Sequence, residues 1–100
     1  MIQRVAVIGG GASGLVAALT AARAGARVCL WERNERLGRK LLVTGSGRCN
    51  LTNDAVSAER YACADPQWMA SLLAQFGVGD VLRLLESVGV STYKTDDGWY

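Results

Sequence analysis

Histidine is absent from all 100 residues, which removes the usual acid/base side chain near neutral pH and the commonest metal ligand. Cysteine occurs three times, as Cys29, Cys49 and Cys63. An odd number with no C-x-x-C spacing excludes a dithiol redox pair and most zinc sites. It suits a reducing cytoplasm, and no metal site is expected. A dominant charge of one sign is missing too. Eleven basic and nine acidic residues leave a formal net charge of +2. They are spread along the chain, without the basic stripe of a nucleic-acid binder or the polybasic tail of a membrane-surface protein. No internal repeat, low-complexity segment or long linker is found. The Ala-rich run after Met1 to Arg4 loosely has the order of a secretory leader. Three consecutive glycines, Arg23 and a strand ending in Glu32 argue against that reading.

What is present is concentrated at the start. Residues 5–25 read V-A-V-I-G-G-G-A-S-G-L-V-A-A-L-T-A-A-R-A-G. Arg4 to Ile8 has the Val/Ile content of a short buried strand. Ser13 to Ala24 is a helix-forming run of Ala, Leu and Val, and Gly25 stands where a helix C′ glycine belongs. Arg27 to Trp31 is a second apolar strand with Glu32 at its end. The pattern is strand, glycine turn, helix, strand, within one βαβ unit of about 30 residues. In the turn, Gly9, Gly11 and Gly14 have the spacing G-x-G-x-x-G. Gly9 allows the tight exit from the strand, Gly11 lets the backbone approach a phosphate, and Gly14 lets the helix pack closely on the strand. Gly10, Ala12 and Ser13 complete a turn whose unpaired N–H groups and helix dipole favour a pyrophosphate. Glu32 falls where a carboxylate meets the adenosine ribose hydroxyls. The site is therefore expected to take a dinucleotide, and Arg33 beside Glu32 is the one residue that could accommodate a 2′-phosphate.

From Arg33 to Asn53 the chain reads as a loop, R-N-E-R-L-G-R-K-L-L-V-T-G-S-G-R-C-N-L-T-N. Four basic residues, Arg33, Arg36, Arg39 and Lys40, follow the ribose carboxylate, and Gly38, Gly45 and Gly47 punctuate it. Asp65-Pro66 has the form of an N-cap followed by proline at N1, opening a helix to about Phe76. Trp68, Leu72 and Phe76 recur at four-residue spacing as a core stripe, and Gly77 ends the helix. A second helix is expected from about Asp80 to Val88, with Val81, Leu84, Leu85 and Val88 on one face and Gly89 as its stop. Val90 to Lys94 suggests a strand, and Thr95 to Gly98 a turn. Half the residues are apolar, so a core is expected, and 100 residues suit one small domain at most. Two parallel strands with one crossover helix leave open edges, whereas parallel sheets normally carry helices on both faces. The chain thus reads as the N-terminal part of a larger α/β protein, with the remainder of its own chain as a partner.

The run from Gly9 through Gly14, Ala18 and Gly25 to Glu32 resembles the FAD-binding form of the Rossmann-like fold in the two-dinucleotide-binding-domain flavoproteins. Gly38-Arg39-Lys40 resembles the glycine–basic motif these proteins place after the ribose acid. More narrowly, Lys40 to Asn53 is similar to the signature of the BaiN-like, aminoacetone-oxidase-like family. That resemblance implies a loop that approaches the flavin, and gives Thr44, Gly45, Arg48, Cys49 and Asn50 a cofactor-site role. It also implies an FAD-dependent oxidoreductase acting on a small molecule, with NAD(P)H as electron donor. Two alternatives stay open: an NAD-dependent dehydrogenase using the same dinucleotide site, and a non-redox or RNA-modifying FAD-binding protein. No catalytic residue can be named.

Overall fold

The computed structural model describes residues 1–43 and 49–100, with the side chains of residues 42 and 43 left aside. The chain divides into two units, Met1–Cys49 and Asn50–Tyr100.

In the first unit, β1 (Arg4–Ile8) and β2 (Arg27–Trp31) pair in parallel, from Arg4 opposite Arg27 to Ile8 opposite Trp31. Between them runs α1 (Ala12–Arg23). The pleat sorts the side chains. Val5, Val7, Val28 and Leu30 are half-buried, while Ala6, Ile8, Cys29 and Trp31 are exposed. Period-two alternation sends these sets to opposite faces. The first faces α1, because a Cβ built on Gly14 of that helix would lie 3.5 Å from Val7 Cγ1. The second is bare, with Ile8 81% and Trp31 62% exposed.

Helix α1 stops as its sequence indicates. Gly25 has φ +93°, its N–H bonds Ala22 O, and the N–H of Ala26 bonds Ala21 O. This pair of bonds is a Schellman stop, which needs a left-handed residue that glycine supplies at least cost. The segment read as a continuous loop after Glu32 contains a short helix, α2 (Arg39–Val43).

The second unit holds a 3₁₀ turn (Ala58–Arg60), α3 (Pro66–Gln75) and α4 (Val78–Ser87). Asp65 caps α3, its carboxylate accepting from Trp68 N at 3.0 Å, with Pro66 in the first turn. Helix α4 begins two residues earlier than expected. Gly77 is its N-cap, and Asp80 lies three residues inside, accepting the Gly77 N–H at 2.8 Å. Asp80 supplies the reaching-back half of a capping box, and Gly77, lacking a side chain, leaves the other half unmade. Gly89 (φ +84°) closes α4 with a second Schellman pair, Gly89 N to Glu86 O and Val90 N to Leu85 O. That bond consumes the Val90 N–H, and residues 90–94 form no strand, contrary to the expectation. The turn at residues 95–98 does form, with Gly98 N bonded to Thr95 O. It returns Trp99 to an isolated antiparallel bridge with Asn53.

The expected core is not found: no hydrophobic residue among those described is buried. Trp68, Leu72 and Phe76 are exposed, as is Val88, whereas Val81, Leu84 and Leu85 of α4 are half-buried. Each unit is about half of an already small chain, and so little volume cannot enclose large side chains. Among the described residues, no single helix is long and apolar enough to cross a membrane.

Candidate functional site

The glycines of the turn separate by what surrounds them. Gly9 has φ +100°, the left-handed exit from β1 that a side chain would strain. Its N–H donates to Trp31 O at 2.7 Å, continuing the strand pairing to the edge of the turn. A Cβ on Gly14 would stand 1.8 Å from Gly9 O. A backbone oxygen cannot move aside, so α1 approaches the turn only because residue 14 has no side chain. Gly11 is the opposite case. It is the N-cap of α1 in extended geometry, and a Cβ there would meet nothing within 4 Å. No side chain caps this helix end and no acidic residue occupies its first turn. Gly11, Ala12 and Ser13 are exposed. The first turn of a helix carries N–H groups without intrahelical partners and a partial positive charge. This open, uncapped end is chemically suited to an anion.

Gly10 is turned inward. Its N–H donates to Glu32 Oε1 at 2.9 Å, and its carbonyl accepts the Gly38 N–H at 2.6 Å. A Cβ on it would lie 2.5 Å from Leu37 Cδ2 and 3.1 Å from Leu30 Cδ2. The second oxygen of Glu32 accepts the Asn34 N–H at 2.7 Å. These two backbone bonds, Asn34 first and Gly10 second, with help from the Arg33 charge, hold the Glu32 carboxyl below the ordinary carboxylate value. The group is therefore an anion at neutral pH. A carboxylate has about four lone-pair directions, and the bonds from Gly10 and Asn34 leave acceptor capacity for a ribose hydroxyl. The donor set thus fits a dinucleotide: free amides for the diphosphate and a carboxylate for the sugar.

The remaining sequence-derived positions are distributed as follows. Arg33 is exposed beside Glu32; Arg39 and Lys40 are exposed at the start of α2, with Arg39 Nη1 3.5 Å from Asn34 Oδ1. Thr44, Gly45 and Arg48 lie outside the described residues. Cys49 is half-buried and Asn50 exposed, the last residue of one unit and the first of the next. Leu37, Gly38 and Asn34 were not singled out as partners of the turn. Leu37 had a visible signal, since it is the one apolar residue in the otherwise polar run from Glu32 to Lys40.

The second unit contains an open pocket of about 600 Å³. Tyr61 and Trp99 give it aromatic walls, and Thr52, Asn53, Arg60 and Asp97 supply polar groups.

Residues 3–99 match the HI0933-like protein Rossmann domain. The chain belongs to the HI0933-like family. This is a flavoprotein Rossmann family, to which the BaiN-like resemblance also leads. Among relatives, the chain is 47% identical over 93 residues to a 3-dehydro-bile acid delta(4,6)-reductase of Clostridium scindens, covering 91% of this chain and 23% of that protein. It is 36% identical over 88 residues to a ribosomal RNA dihydrouridine synthase of Escherichia coli, covering 88% and 22%. The Haemophilus influenzae protein of the same name is 33% identical over 92 residues, covering 92% and 23%. The chain thus spans about a quarter of the length of these HI0933-like relatives.

Proposed function

We propose that this chain is the adenosine-diphosphate-binding part of an FAD-dependent oxidoreductase of the cytoplasm. The observation that carries the reading is the pairing of the open, uncapped α1 N-terminus at Gly11 with the ionised Glu32 at the end of β2, in a chain of a flavoprotein family. The amides of Gly11, Ala12 and Ser13 would receive the diphosphate, and Glu32 the ribose. Arg33, Arg39 and Lys40 would add positive charge nearby. Bound FAD would supply hydride chemistry, with NAD(P)H as donor; the protein supplies position and electrostatics. Thr44, Gly45, Arg48, Cys49 and Asn50 would line the flavin, as the family resemblance implies.

By their names, a delta(4,6)-reductase and a dihydrouridine synthase both act on carbon–carbon double bonds. The substrate proposed here is a small molecule carrying a conjugated double bond. The higher identity to the bile acid enzyme favours this over a nucleic acid, as does the lack of a basic stripe. The RNA reading keeps a specific support in the two dihydrouridine synthases. The test is the absorption spectrum of the purified full-length protein. Visible flavin bands bleached by NADH or NADPH, then recoloured by a conjugated enone, are expected. A protein without flavin absorbance that binds NAD instead would overturn the cofactor reading. Recolouring only by uridine-containing RNA would select the second substrate.

A further inference from the structure

Among the described residues only two are buried, and both are glycines, Gly10 and Gly38. They are 28 positions apart in sequence and bonded to each other, Gly38 N–H to Gly10 O, at 2.6 Å. Glu32 holds the other side of the same residue through the Gly10 N–H at 2.9 Å, so the peptides before and after the Gly10 Cα are each tied once. Leu37 lies over the Cα of Gly10, since a Cβ there would meet Leu37 Cδ2 at 2.5 Å. Gly38 has φ +63°, the left-handed geometry that turns the chain into α2 while its N–H stays bonded to the turn. We propose that Leu37-Gly38 is a clasp that presets the dinucleotide turn: it fixes Gly10 from the far side, so that the neighbouring amides at Gly11 to Ser13 already face outward before any ligand arrives. This deepens the FAD reading above, on which its ligand rests.

The physical argument is one of selection. A turn that samples several shapes binds with an affinity reduced by the fraction of time spent in the competent one. Glycine-rich segments sample more shapes than any other sequence, and residues 9–11 are three glycines in a row. Two opposed backbone bonds and a side chain laid across the middle glycine remove that freedom at a point where no local side chain could. Leu37 and Gly38 act through Gly10, so they are positioning residues.

The test uses full-length apo-protein with ADP, which carries the diphosphate and adenosine without a flavin, and with FAD. In Gly38→Ala, the added methyl has room, its nearest neighbours being Leu15 Cδ1 at 3.5 Å and Leu41 Cδ1 at 3.7 Å. The left-handed φ alone is penalised, and about a five- to thirtyfold loss of ADP and FAD affinity is expected. Leu37, 50% exposed, can be shortened without opening a core. Leu37→Ala is expected to weaken both ligands in the same direction, and Leu37→Met to restore them. In both Ala variants the visible maximum of bound flavin stays at its wild-type position, while the apo melting temperature falls slightly, reflecting the strained φ at residue 38 or the lost Leu37 contact. Hydrogen–deuterium exchange of the peptide spanning Gly10 speeds up in the apo state, an arm that needs no ligand. Wild-type affinity for ADP in both Ala variants, or unchanged exchange at Gly10, overturns the clasp. So does an affinity loss accompanied by faster exchange throughout the first unit with no excess at the peptide spanning Gly10. Failure of the wild-type protein to bind ADP or FAD would instead overturn the cofactor reading, with the exchange arm still deciding whether Leu37-Gly38 holds the turn.

Discussion

Gly11 and Gly14 are the same residue three positions apart, and the structure assigns them opposite sensitivities. A methyl at residue 14 collides with the Gly9 carbonyl, and neither can rotate away, one being backbone and the other fixed to it. Gly14→Ala is therefore expected to destabilise the apo-protein by about 3 kcal/mol, the upper range for overpacking, as read from urea unfolding. Gly11→Val enters open space in an extended conformation that any residue adopts. It should lower the apo melting temperature only by the modest cost of Val at an N-cap while abolishing retention of FAD, and full flavin occupancy in that variant would refute the phosphate role of Gly11. Glu32 makes a different prediction. Its carboxyl is held below its ordinary 4.5 by the Asn34 and Gly10 amides. The sign follows from linkage: the contribution is complete above 4.5 and is lost as pH falls from there through the lowered value. FAD affinity measured from pH 6 to pH 3 should thus fall only on the acid side. Glu32→Ala should bind FAD about ten- to a hundredfold more weakly at neutral pH, since a charged hydrogen-bond acceptor has gone, and should lack the acid fall.

Elements differ in how local their causes are. The cap of α3 is local: Asp65 receives the Trp68 N–H within one turn of Pro66. Asp65→Ala removes a cap usually worth about 1 kcal/mol, so amide exchange in the first turn of α3 should accelerate about fivefold, with α4 unchanged. Such features were legible in the sequence because a short window contains both partners. The same holds for β1, β2 and the glycine stops at Gly25 and Gly89. What the sequence hid depends on bonds outside the window. Val90 to Lys94 has strand composition, but the helix stop takes the Val90 N–H and no strand among the described residues pairs with the rest. Helix α2 is five residues long and follows a glycine, too short to show a period. At the site, the glycine spacing and Glu32 were readable, whereas the Gly38 to Gly10 bond crosses 28 residues and leaves no periodic trace.

At the largest scale, neither unit gathers its described apolar residues into an interior. The far face of the β1–β2 pair presents Ile8 beside Trp31 and Ala6 beside Cys29, and Trp68, Leu72 and Phe76 add a second exposed series. The hundred residues taken alone should self-associate with rising concentration in sedimentation velocity, because exposed apolar surface of this kind is removed from water by association. A monomer across the whole concentration range would contradict the burial described. The bond from the Gly9 amide to the Trp31 carbonyl has an optical consequence. It ties an indole-bearing residue to the rim of the turn, while Trp68 and Trp99 belong to the other unit. Trp31 is thus an emitter whose backbone adjoins the proposed docking point, with its indole on the sheet face turned away from α1. Adding ADP to apo-protein should shift or dim its fluorescence, and Trp31→Phe should silence that response while the emission of the other two indoles persists.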